Sequence, residues 1–125
     1  MGVFAESFRD LEVYQEALAL SLEVHHFCMS LPYEERFALA DQMRRASRSV
    51  PANISEAWRK RRYKAAFVAK LSDSETEAAE MQCWLDFALK AEFMKIDVYQ
   101  DFDRRYEIVI SKIVTMIDGA ERWCR

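Results

Sequence analysis

The sequence predicts an all-α chain, an up-down-up-down four-helix bundle whose second helix is kinked or broken near Pro51. Three observations lead there. Glycine and proline number two each in 125 residues, far below their usual shares of about 7% and 5%, and a sheet needs such residues for its turns. Apolar residues recur at three-four spacing through four stretches and nowhere sustain the alternation of a strand. The breaks between the stretches are short, the condition for antiparallel neighbours in a bundle. The length suits one domain covering 1–125, large enough to bury roughly two-thirds of its unfolded surface.

The first helix is expected to begin near Ser7, with Asp10 completing a capping-box pattern. Asp10 and Glu12 then oppose the positive end of the helix dipole. One stripe runs Phe4, Phe8, Leu11, Gln15, Leu18, Leu22, His25, Met29, and a second runs Val13, Ala17, Leu20, Val24, Phe27, Leu31. Pro32 ends this helix, because proline disfavours helix in the residue before it and suits the first turn of the next. Glu34 and Glu35 are therefore placed in the first turn of the second helix, which continues through Leu39, Met43 and Ala46 to Pro51. Pro51 removes one backbone donor and crowds the preceding turn. Ser47, Ser49, Asn53 and Ser55 surround it and offer donors for the freed carbonyl.

Trp58 to Lys64 has no apolar stripe and is read as the turn into helix three. That helix carries Phe67, Leu71, Ser74, Ala78, Met81, Leu85 and Ala88, with Trp84, Phe87 and Ala91 alongside. A turn around Lys95-Ile96-Asp97 follows, with Asp97 as N-cap. Tyr99, Phe102, Tyr106, Val109, Ile113, Met116, Ala120 and Trp123 mark the fourth helix, and Gly119 loosens its end. A helix with one buried face needs about three apolar positions in seven. The double stripe of helix one exceeds that, and because monomers rarely expose large apolar patches, it predicts a homo-oligomer, with a generously packed monomer core as the alternative.

Little here suggests chemistry. Glu23-x-x-His26 matches half of a di-iron motif, which requires a second copy and further carboxylates; with His25 and His26 the only histidines, none is available. His25 and Cys28 would supply two ligands, too few to close a metal site. Neither a nucleophile with a base nor a glycine-rich phosphate loop can be assembled. Glu77 and Glu80, one turn apart, read as solvated helix-surface acids. The expectation is a non-enzyme with no catalytic residues, metal or cofactor. Cys28, Cys83 and Cys124 are an odd number without close spacing, which suits free thiols in a reducing cytoplasm. There is no signal-peptide pattern and no apolar run long enough for a membrane span, so the expected location is cytoplasmic, without a membrane partner.

Net charge is −3, but it is unevenly distributed: residues 1–43 carry −6, residues 44–64 carry +7 and residues 65–125 carry −4. The middle block contains Arg44, Arg45, Arg48, Arg59, Lys60, Arg61, Arg62 and Lys64 against one acid, Glu56. Arginine donors suit phosphate, and Trp58 and Tyr63 would stack on unpaired bases. Arg44, Arg48, Arg59, Lys60, Arg61, Arg62 and Lys64 are thus candidate nucleic-acid contacts, to RNA or DNA. Arg44 and Arg48 share a helix face, whereas Arg45 points elsewhere, either inward to an ion pair with Glu56, Glu77 or Glu80 or outward to solvent. Two other readings remain open: a solvated turn with interhelical salt bridges, and a surface for an acidic protein.

The run Gln42-Met43-Arg44-Arg45-Ala46-Ser47-Arg48-Ser49-Val50-Pro51-Ala52-Asn53-Ile54-Ser55-Glu56 resembles the signature of four-helix bundle proteins encoded in intervening sequences of bacterial 23S ribosomal RNA genes. Arg45, Pro51, Asn53 and Glu56 are its motif positions here. Phe8-x-x-Leu11-x-Val13-Tyr14-Gln15-x-Ala17, Leu31-Pro32-x-Glu34, Phe67-x-x-Lys70-Leu71 and Glu77-Ala78-x-Glu80-x-x-x-Trp84-Leu85 are also similar, so the likeness covers about residues 8–117. Ala57 departs from the glycine usual after that glutamate, which would have capped helix two. The resemblance implies a cytosolic bundle assembling as a ring, commonly a pentamer, with no established enzymatic activity. Accessory proteins of diversity-generating retroelements are similar in fold, and they form pentamers that engage a reverse transcriptase and nucleic acid. The expected partners are therefore copies of the chain itself and RNA, with a protein-interaction or scaffold module as the alternative.

Overall fold

The computed structural model describes residues 5–125, so Phe4 of the first stripe lies outside the described residues. Four long helices form an up-down-up-down bundle: α1 (Glu12–Cys28), α2 (Leu39–Arg59), α3 (Lys64–Lys90) and α4 (Ile96–Asp118). A four-residue helix, α5 (Ala120–Trp123), folds back near the chain end. Successive helices pack along their length, α2 on α3 most extensively, while α1 meets α4 over a thinner seam. Ion pairs bridge that seam: Lys112 reaches Glu12 and Glu16, and Arg105 holds Glu23 bidentately.

The core follows the expected stripes. Val13, Ala17, Leu20 and Val24 of α1 meet Met43, Val50 and Ile54 of α2, Phe67, Leu71, Met81 and Leu85 of α3, and Tyr106, Val109 and Ile113 of α4 in one buried cluster. The other α1 stripe divides. Leu11 is buried and Phe8 half-buried, but Leu22 is 55% and Met29 70% exposed. With Leu18 and, on α4, Ile108 and Val114, they leave apolar side chains on the outer surface.

Several boundaries differ from the sequence expectation. The Ser7–Asp10 capping box forms, but it closes a single 3-10 turn, Phe8–Asp10. Leu11 is extended, and α1 begins at Glu12. Glu34 and Glu35 belong to a separate 3-10 turn, Tyr33–Glu35, not to α2. Ala38 (φ −126°, ψ −97°) interrupts the helix, and α2 starts at Leu39. Glu35 still serves that helix, because its Oε1 accepts the Leu39 N–H at 3.2 Å, satisfying an end donor and placing negative charge at the positive pole. At the other end of the chain Lys95, not Asp97, is the N-cap of α4; Asp97 lies in its first turn. Gly119 ends α4 and leads into α5.

Pro51 does not break α2, which is one continuous helix through it. An interior proline costs about 3 kcal/mol in isolation, but here its ring is buried and α2 is packed on both α1 and α3. Polar neighbours brace the backbone. Asn53 Nδ2 donates to Ser49 O at 2.9 Å, Ser49 Oγ to Arg45 O at 2.9 Å, and fully buried Ser74 of α3 donates to Val50 O at 2.8 Å. Among the described residues no side chain donates to Ser47 O, the carbonyl that Pro51 frees, so the expected rescue goes to its neighbours instead. Ala57 is buried within α2, and the turn falls later, at 60–63.

α3 ends in a Schellman motif built without glycine. Phe93 N donates to Ala88 O and Glu92 N to Leu89 O. Glu92 occupies the left-handed position, with φ 65°.

Candidate nucleic-acid interface

The fold divides the basic segment into two groups. Arg44 and Arg59 are fifteen positions apart on one helix, so about 22 Å separates them along its axis. Arg44, Arg45 and Arg48 lie in the first half of α2, and Arg59 to Lys64 lie around the α2–α3 turn at the far end.

The first group leans on α1. Arg48 Nη2 approaches His25 Nδ1 at 3.4 Å, and Arg44 is half-buried with its Nε enclosed and unpartnered. Both guanidiniums lie near enough to the buried Cys28 thiol to oppose the upward pull of burial on its pKa. This places cations at the C-terminal end of α1, where the helix dipole favours them. Arg45 is exposed and makes no ion pair among the described residues, which decides for solvent over the inward pairing. It acts on Glu77 only at longer range: burial and Glu80 raise that carboxyl above its ordinary range, and Arg45 pulls against them. Glu56 pairs with Lys70 of α3 at 2.8 Å.

The second group is built by the turn. Arg61 places its Cζ over the Trp58 indole, 3.5 Å from the ring centroid, and its Nε donates to Trp58 O at 2.9 Å. Trp58 in turn meets Trp123 of α5 edge to face. Lys64 pairs with Glu121 at 2.8 Å, and that hydrogen bond raises its pKa. Arg59, Lys60 and Arg62 are exposed and have no carboxylate partner among the described residues. Tyr63 beside them is 63% exposed. Of the seven expected contacts, this end therefore gathers Arg59, Lys60, Arg61, Arg62 and Lys64, and it does not gather Arg44 or Arg48.

A cavity of about 250 Å³ opens beside Trp58, with Arg59, Arg61 and Arg62 on its wall. Arg125 also lines it, as do Ser7 and Phe8 from the chain start. Arg125 N donates to Arg61 O at 3.1 Å, tying the chain end to the turn. Burial, followed by the Arg125 and Arg59 charges, lowers the Arg61 pKa. The basic segment alone does not reveal Arg125, Ser7 or Phe8. The available signal was helix parity: in a four-helix up-down bundle the chain start, the second turn and the chain end share one end.

Elsewhere the three cysteines are free. Among the described residues no group of three His, Cys, Asp or Glu side chains is placed to hold a metal, and no helix is long and apolar enough to cross a membrane. Glu23, the acid of the Glu-x-x-His pattern, is engaged with Arg105.

Residues 9–115 match the family described as 23S rRNA-intervening sequence protein. The chain belongs to that family. The match takes in the Arg44–Glu56 run and all four long helices up to the last turn of α4. The fold also resembles a crystal structure of a Bacteroides thetaiotaomicron protein of unknown function from the S23 ribosomal protein family, with a TM-score of 0.77 and 23% identity over 85% of this chain and 95% of the other. At that identity the likeness concerns the fold. No curated protein is a significant match.

Proposed function

We propose that this 23S rRNA-intervening sequence family member is a non-enzymatic, homo-oligomeric bundle that binds RNA through its α2–α3 end. The observation that carries the reading is the cluster of Arg59, Lys60 and Arg62, exposed and without acid partners at one end of a chain whose net charge is negative. Free guanidinium and ammonium donors beside exposed Tyr63 supply the two elements of single-strand recognition, phosphate contact and base stacking. Self-association rests on the outer apolar residues Leu18 and Leu22 of α1 and Ile108 of α4. A ring, a pentamer in this reading, would repeat the cationic end and raise avidity without new contacts.

The test is a mobility-shift titration with structured RNA across a salt series. Affinity should fall steeply with salt, at about 0.7–0.9 logarithmic units per phosphate neutralised, and Arg59/Arg61/Arg62→Ala should flatten that slope. Absence of binding at low salt refutes the RNA reading, and light scattering that finds a monomer at tens of micromolar refutes the oligomer.

A protein-interaction or scaffold role is the alternative, favoured by one observation at the opposite end. Met29, Tyr33 and Phe37 are strongly exposed around the α1–α2 connection, Phe37 at 83%. A complex that survives nuclease and the triple arginine substitution but is lost in Phe37→Asp would favour this role.

A further inference from the structure

The cavity at the α2–α3 end has a property that an open basic surface lacks: it is concave and one of its cations, Arg61, is held in place. Arg61 is fixed by the Trp58 ring beneath it and by its Nε bond to Trp58 O, and its Nη groups have no hydrogen-bond partner among the described residues. Trp58 itself is buried and backed by Trp123. Arg59 and Arg62 come from the same turn, and Arg125 arrives from the chain end through its backbone bond to Arg61 O. Against these four guanidiniums the lining offers one side-chain carboxylate, Glu6. Ser7 Oγ accepts the Arg9 N–H at 3.2 Å, which leaves its hydroxyl proton available at the rim.

Such a group of forks is complementary to an anion with several oxygens. Guanidinium binds phosphate oxygens through paired N–H bonds, and a guanidinium already immobilised on an aromatic ring loses less freedom on binding. The lowering of the Arg61 pKa by burial and by its cationic neighbours is consistent with uncompensated positive charge there. Size narrows the ligand. At about 250 Å³ the cavity falls below the roughly 300–1,000 Å³ of sites that enclose a whole small molecule. It suits one phosphate and part of its sugar. Geometry narrows it again: an internal phosphodiester continues as chain on both sides and has two free oxygens, whereas a terminal phosphomonoester can enter a recess end-on and presents three oxygens and up to two charges.

We propose that this pocket, walled by Arg59, Arg61, Arg62 and Arg125 around Trp58, receives the terminal phosphomonoester of an RNA strand. The assignment rests on the RNA-binding reading and adds that the protein recognises strand ends.

The test uses the full chain and one short RNA prepared with a 5′-phosphate, a 3′-phosphate or hydroxyl groups at both ends, compared by fluorescence polarisation at fixed salt. One phosphorylated form should bind at least tenfold more tightly than the hydroxyl form. Arg125→Gln, which changes a side chain outside the basic segment and the long helices, should abolish that difference. Arg61→Gln should abolish it as well, with helical circular dichroism retained. Equal affinity for all three RNAs overturns the pocket assignment and leaves the broader RNA reading standing. Absence of RNA binding in every form overturns both. Inorganic phosphate or a mononucleotide binding as tightly as the phosphorylated strand identifies a free phosphate ligand and overturns the strand-end assignment.

Discussion

Tyr106 supplies a direct test of the core. Its side chain is fully buried in α4, and its Oη has no hydrogen-bond partner. A buried hydroxyl without a partner costs about 1–3 kcal/mol, and Tyr106→Phe removes it while retaining the ring that fills the space. The variant should gain about 1 kcal/mol or more near neutral pH. For 125 residues an unfolding entropy of roughly 0.26 kcal/mol/K makes that about 4 °C in Tm. The pH dependence sharpens the test. Burial raises the Tyr106 pKa, whereas an unfolded tyrosine ionises near about 10. Above that pH the unfolded chain releases a proton that the native state retains, so native stability falls as pH rises. Phenylalanine lacks this contribution, and the advantage of the variant should widen by about 1.4 kcal/mol at pH 11 relative to pH 8. Paired urea titrations at the two pH values, with reductant present, measure both quantities. A variant less stable than wild type by 1 kcal/mol at pH 8 would mean that Oη is bonded in the folded state. A gap that does not change with pH would mean that the phenol reaches water. Either result refutes the argument.

Three further substitutions probe other joints of the fold. Ser74→Ala removes the buried bond to Val50 O that ties α3 to α2 beside Pro51, and should lower the unfolding free energy by about 1 kcal/mol, read as a lower urea midpoint with an unchanged slope. Glu92→Gly relieves a left-handed residue at the end of α3; the penalty for a side chain there is about 1–2 kcal/mol, so after the entropy cost of glycine a small rise in Tm is expected, and a fall counts against the Schellman geometry. Arg45→Gln removes the charge that partly offsets burial and Glu80 at Glu77, so the Glu77 titration midpoint, followed by carboxyl NMR, should move further up.

How much of the molecule the sequence reveals depends on the range of the force concerned. Apolar periodicity is local, and so α1 to α4, their buried stripes and the turn after Trp58 could be placed from spacing alone. Capping was legible as a pattern but not as a position: Ser7 and Asp10 make their reciprocal bonds, yet Leu11 turns extended and the helix begins beyond them. Proline's local cost was legible too, but burial of Pro51 in a helix packed on both α1 and α3, a tertiary gain, offsets it and α2 stays continuous. The charge block between Arg44 and Lys64 is contiguous only along the chain. On a helix rising about 1.5 Å per residue its halves are carried to different places, one against the end of α1 and the other into the turn.

The amino-acid sequence by itself determined the helical class, the number of long helices, the width of the apolar face on α1 and the place where positive charge collects. These follow from composition and from periods shorter than two turns. Only the tertiary structure decided which arginines remain free, that Arg45 faces solvent while Glu56 pairs with Lys70, and that Arg125 joins Arg59, Arg61 and Arg62 around Trp58. The reason is that a side chain's partners are chosen by whatever the packed helices bring within a few ångströms. In an up-down bundle those neighbours come from both ends of the chain.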